Sequence, residues 1–119
     1  MKVIKIEYPT QLSEICDIED DNIDVFVELE DGITYTVVVS TPKNYYDYMA
    51  RESVDFYCGV PDIIVKKLTK DNIERAIYKY AEDSAYWLKY YHLAGEINID
   101  ILNKVIKEKE LKSKDIFDA

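Results

Sequence analysis

Between residues 23 and 39, apolar side chains take every second position in two runs: Ile23, Val25, Val27 and Leu29, then Ile33, Tyr35, Val37 and Val39. Such alternation places each run on one face of a strand, and Glu30-Asp31-Gly32 between them reads as a turn. A two-residue Asp-Gly turn would pair residue 30 with 33 and 28 with 35, setting glutamates opposite the second apolar run. A three-residue loop pairs 29 with 33, 27 with 35, 25 with 37 and 23 with 39, and gathers all eight apolar side chains on one face. Burial of that face selects the second register, and Gly32 suits the left-handed position of a three-residue hairpin loop. The opposite face then carries Asp24, Phe26, Glu28, Thr34, Thr36 and Val38.

The flanking patterns predict the remaining elements. Residues 2–8 alternate as a strand, with Ile4, Ile6 and Tyr8 on one face and Val3, Lys5 and Glu7 on the other. Thr10 is placed to cap a short helical segment sharing Leu12, Ile15 and Cys16 on one side. Thr41-Pro42 reads as an N-cap followed by proline at the first helical position, opening a helix to about Glu52. Residues 54–58 and 62–67 are short strand candidates split by Gly59-Val60-Pro61.

Farther on, Thr69 caps a helix in which Leu68 and Ile73 form the two ends of a hydrophobic staple. Apolar or small residues recur at 73, 76, 77, 80, 81, 84, 87, 88 and 91, and Gly95 follows as a stop. This spacing predicts one unbroken helix over 69–94 that buries Ile73, Ile77, Tyr80, Trp87 and Leu88. A last helix, from about Asp100 to Leu111, is expected to bury Leu102, Val105 and Ile106. With no repeat, linker or low-complexity tract, residues 1–119 read as a single α+β domain, an antiparallel sheet packed against a long C-terminal helix.

Charge changes this picture most. From Ile6 to Pro42 there is no Lys or Arg, while Glu7, Glu14, Asp17, Glu19, Asp20, Asp21, Asp24, Glu28, Glu30 and Asp31 give a local charge of −10. Lys2 and Lys5 precede it, and residues 43–119 nearly balance, so this third of the chain accounts for the net charge of −9. Self-repulsion of that density disfavours a compact state and is retained for solubility or to meet a basic partner. An acidic chain is ill suited to contact nucleic acid or an anionic membrane directly. The first residues hold no apolar run long enough for a signal peptide, and nothing approaches a membrane span. Cys16 and Cys58 read as free thiols in a reducing cytoplasm.

Little in the chain points to catalysis. His92 is the only histidine, at the edge of the core stripe, which leaves no two-histidine metal site. The three glycines are isolated and form no phosphate loop. Asp17, Glu19, Asp21 and Glu28 match four positions of a calcium-loop count, but Asn22 stands at the turn glycine and Asp24 at the apolar eighth position. The hairpin carboxylates lack the apolar surroundings that would tune a general acid. No catalytic residue, metal or cofactor is therefore expected. The candidate partner-binding residues are Asp24, Phe26, Glu28, Glu30, Thr34 and Thr36, an aromatic anchor ringed by acid. A second candidate lies among the eleven tyrosines: Tyr78, Tyr86 and Tyr90 recur at four- and eight-residue spacing off the core face, a stripe suited to a partner or to self-association.

Three stretches give the chain a resemblance. Thr41-Pro42-Lys43-Asn44, the run from Pro61-Asp62-Ile63-Ile64 through Val65-Lys66-Lys67-Leu68-Thr69, and Asp83-Ser84-Ala85-Tyr86-Trp87-Leu88-Lys89, together with the acidic hairpin, resemble the small acidic immunity proteins that bacteria encode beside polymorphic or contact-dependent toxins. That resemblance implies a stoichiometric inhibitor that occludes a basic toxin, often a nuclease, inside the producing cell. It transfers no functional residue, because such families share no catalytic motif. The competing expectations are a nucleic-acid mimic aimed at a DNA-binding protein, and a structural domain that self-associates through its tyrosines. A small enzyme using the carboxylates ranks last.

Overall fold

A computed structural model describes the backbone of residues 1–118 and the side chains of residues 1–112. The chain runs β1 (Val3–Glu7), a single 3-10 turn (Leu12–Glu14), β2 (Asn22–Leu29), β3 (Thr34–Ser40), α1 (Pro42–Glu52), β4 (Ile63–Ile64), α2 (Lys70–Tyr80), α3 (Glu82–Ala94) and α4 (Ile99–Asp118). The strands form one sheet in the order β1-β2-β3-β4. The fold is α+β, as the pattern of elements predicted.

The hairpin has the register selected by its apolar face. Ile23 pairs with Val39, Val25 with Val37 and Val27 with Tyr35, and the Leu29 amide donates to the Ile33 carbonyl across the three-residue loop. Gly32 sits at φ 80°, where a side chain would be strained. Seven of the eight alternating residues are buried. Ile33 is the exception, half exposed, because it sits where the hairpin turns beyond the cover of the helices.

The first strand departs from simple alternation. Val3 pairs with Leu29 but Lys5 with Glu28, so an extra residue bulges out of β1 between them. A bulge inverts side-chain parity: Val3 turns toward the core with Ile6, and Ile4 is left 53% exposed. The sheet is also mixed and not purely antiparallel. β3 pairs in parallel with β4, Val39 with Ile63 and Ser40 with Ile64, because α1 carries the chain across and returns it in the same direction, as a parallel partner requires. Residues 54–58 form no strand. Tyr57 instead packs edge-on against Tyr45 and Tyr48 of α1, with ring centroids 4.7 and 5.9 Å apart.

Capping follows the chemistry of the sequence at two helices. The Thr41 hydroxyl accepts from the Asn44 amide (3.3 Å) and the Thr69 hydroxyl from the Asn72 amide (3.2 Å), each satisfying an amide of the first turn. The early turn is different: its cap is Gln11, with no side-chain bond, and Cys16 is exposed while Leu12 and Ile15 pack at the core margin. The inner sheet face, α2 and α3 enclose one core, in which Val25, Val27, Leu29, Val39, Ile73, Ile77 and Leu88 are essentially without solvent contact.

The expected single helix over 69–94 is two helices. α2 ends at Tyr80, and Asp83, Ser84 and Ala85 follow in the left-handed region, with φ of 52°, 62° and 57°. One hydrogen bond accompanies the break: the Met1 amino group donates to the Ala81 carbonyl at 2.6 Å. Ile73, Ile77 and Ala81 continue as Ala85 and Leu88, whereas Ser84 and Trp87, placed in the core by an unbroken 3.6-residue period, are exposed. Tyr80 is half-buried. Gly95 ends α3 in a right-handed conformation, φ −78°, and not as a left-handed cap.

The last helix is longer than the sequence pattern suggested and lies differently. Its first turn is capped by Asn98, whose side-chain oxygen accepts from the Ile101 amide at 2.9 Å. Every side chain from residue 99 to 112 is exposed, including Leu102, Val105 and Ile106. Their apolar periodicity is real, but nothing among the described residues covers it.

Candidate protein-binding surface

Strand alternation that buries Val25 and Val27 necessarily turns Asp24, Phe26 and Glu28 outward. Pairing across the sheet builds three rows from these residues. Lys5, Glu28 and Thr34 lie side by side, then Glu7, Phe26 and Thr36, then Asp24 and Val38. Neighbours in such rows have Cβ atoms about 5 Å apart. Phe26 is therefore the centre of the face, with Asp24 and Glu28 along its own strand and Glu7 and Thr36 beside it. Asp24, Thr34, Thr36, Lys5 and Glu7 are exposed, while Phe26, Glu28 and Val38 are half-buried. Glu30 lies just past the end of β2, exposed, where one carboxylate oxygen accepts from the Lys2 amide at 3.0 Å. All six residues of the first candidate set thus share one side or rim of the sheet.

Two features of this face could not be read without the pairing of β1. Glu7 adds a third carboxylate next to Phe26. Lys5 places the one cation among these rows, 2.6 Å from Glu7 and opposite Glu28. Its ammonium is held above the ordinary lysine range, chiefly by the hydrogen bond to Glu7 and then by the charges of Glu7 and Glu28. Three carboxylates against one lysine leave the face negative.

The acidic loop before β2 is less free than its composition suggests. Asp17 lies 3.8 Å from Lys43 and Glu19 3.6 Å from Lys67, both lysines coming from outside the acidic stretch. Asn44 donates to Asp20 (3.3 Å). Asp20 and Asp47 lie close enough to share a proton, which pushes the Asp47 carboxyl above and holds Asp20 below the ordinary carboxylate range. These contacts tie the loop to α1 and to the segment that precedes α2. They leave the outer strand face as the more open concentration of negative charge.

The tyrosine stripe does not survive the helix break as one surface. Tyr78 remains on α2, 55% exposed, apart from the ring contacts made by the other two. Tyr86 and Tyr90 sit on α3 with Trp87 between them, at 5.2 and 5.9 Å, and Leu93 extends the row. These four side chains are each about half exposed or more. Trp87 and Leu93 were missed because the helical period assigned Trp87 to the core. On its other side Trp87 lines an open cleft of about 470 Å³ with Tyr80, Tyr91, Pro61, Lys79, Glu82 and Asp83. His92 is half-buried, its ring edge-on to Tyr35 at 5.0 Å, and its Nε2 is 3.7 Å from Glu96. Tyr35 in turn donates its hydroxyl to Asp31 at 2.6 Å, so these groups are engaged in supporting the core edge.

Among the described residues no helix is long and apolar enough to cross a membrane. In comparisons with protein-family models, with curated proteins and with solved structures, nothing matches this chain.

Proposed function

We propose that the chain is a non-catalytic protein-binding inhibitor of the immunity type, which docks its acidic sheet face onto a basic protein and occludes it. The observation that carries this reading is the position of Phe26, a half-buried ring at the centre of a sheet face and surrounded by Asp24, Glu7 and Glu28. An apolar anchor in a polar rim is the arrangement from which binding energy is drawn, while the rim sets specificity and encounter rate. A toxin domain with a cationic, phosphate-binding cleft is the fitting partner, since a row of carboxylates occupies the subsites that phosphates would use. The site of action is then the cytoplasm of the bacterial cell that makes both proteins.

The test begins with a pull-down at low salt from the native host, and the basic protein captured is purified and immobilised. Association should slow by about tenfold or more between low and physiological ionic strength, where the screening length falls to about 8 Å. Replacing Asp24, Glu28 and Glu30 by Asn, Gln and Gln should slow association similarly and leave the thermal midpoint unchanged, as exposed charges contribute little to stability. Phe26→Ala should act on dissociation instead, by roughly 30-fold if the ring is a hot spot worth about 2 kcal/mol. A complex indifferent to salt and to all four substitutions would place the interface elsewhere.

A further inference from the structure

The strongest unexplained feature lies outside the sheet. At 100° per residue, Ile99, Ile101, Leu102, Val105 and Ile106 fall within an arc of about 160° on α4, and they are 65, 48, 43, 57 and 55% exposed. An amphipathic helix of this length gains most of its stability by packing its apolar face, and isolated it is marginal. We propose that this face, together with the aromatic row on α3, is the seam of a symmetric homodimer.

Area and charge identify the occupant as a second copy. A fully exposed large aliphatic side chain offers on the order of 100 Å², so five at about half exposure supply roughly 250 Å² on α4. That falls well short of the ~800 Å² per partner typical of a stable interface. Tyr86, Trp87 and Tyr90 at half exposure, with Leu93, add roughly 350 Å² more. The two helices are consecutive, joined through Gly95, and together reach about 1,200 Å² over two copies, the lower bound of a standard interface. Neither patch suffices alone.

Residues 99–112 carry four lysines and three acidic residues, whereas residues 1–98 carry ten basic and nineteen acidic residues. A strongly basic partner is drawn to the latter and not to α4. A second α4 meets almost no net repulsion, and antiparallel pairing sets Asp100 of one helix toward the lysine-bearing second half of the other. An isologous pair uses one patch twice, the commonest symmetry of soluble oligomers.

The test measures the mass of the full chain by light scattering across the micromolar range, at low and high salt. The expected value is about 28 kDa, twice the 14.0 kDa of the chain, at both salts, because an apolar seam is not screened. Leu102→Lys with Ile106→Lys should return the 14.0 kDa species with the thermal midpoint of the domain unchanged, since both side chains lie outside the core. Leu111→Lys, on the opposite side of α4, should remain dimeric. Trp87 is the only tryptophan, and its emission should shift to the blue as concentration rises in the wild type but not in the double variant. A 14.0 kDa wild type at every concentration overturns the proposal. So does a dimer that persists in the double variant, or a blue emission independent of concentration, which would mean that α4 covers α3 of its own chain.

Discussion

Ser84 offers a test in which two readings of the same residues predict opposite signs. It lies in the middle of the left-handed turn, φ 62°, with its side chain exposed. A residue with a Cβ costs about 1–2 kcal/mol in this conformation, because the Cβ crowds the following carbonyl. Glycine removes that crowding but brings about 0.5–1 kcal/mol of extra chain entropy to the unfolded state. Ser84→Gly should therefore stabilise the protein by roughly 0.5–1 kcal/mol, a rise of about 2–5 °C in melting temperature for a domain of this size. In the unbroken helix predicted by periodicity, the same change would lower stability by a few tenths of a kcal/mol. Ser84→Val sharpens the contrast. Valine and serine have similar helix propensities, yet a β-branched residue in the left-handed region is strongly disfavoured, and a loss above 1 kcal/mol is expected. Urea denaturation followed by far-UV circular dichroism reads both variants, with the slope held constant so that midpoints report stability. A lower midpoint for Ser84→Gly, or an unchanged one for Ser84→Val, would refute the left-handed turn.

Two further outcomes test the core and its titration. Leu88→Ala should cost about 2–5 kcal/mol, as for other fully buried leucines, whereas Trp87→Ala on the solvent side of the same turn should cost under about 1 kcal/mol; equal losses in urea unfolding would restore the unbroken stripe. Burial pushes Tyr8, Tyr35 and Tyr45 up to about 12 from an ordinary 10.0, aided at Tyr35 by the bond to Asp31. A raised folded-state pKa means stability that is full below the unfolded value and lost as pH rises through the folded one. The unfolding midpoint should fall between pH 10 and 12, with these three hydroxyls contributing up to about three protons to the release on unfolding, and Tyr35→Phe should reduce that release by about one. A midpoint flat across this window would contradict the burial of these hydroxyls.

Where one rule of physical chemistry acts locally, the amino-acid order by itself determined the outcome. The hairpin register followed from the alternation of valines and the need to bury one face, and Thr41 and Thr69 capped their helices because a hydroxyl two or three residues before a free amide is a local partner. The same alternation determined that Asp24, Phe26 and Glu28 face outward. What the tertiary structure alone decided depended on neighbours distant in sequence. The bulge in β1 set Lys5 and Glu7 beside Phe26, and Lys43 and Lys67 reached back to the acidic loop. The identity of the strand beside β3 followed from the crossover through α1. The break at Asp83–Ala85 was illegible because aspartate, serine and alanine all occur in helices, and the apolar spacing runs through them without interruption. Burial of the α4 stripe was misjudged for a related reason: amphipathicity states that a face seeks cover, and only the fold shows that the described residues supply none.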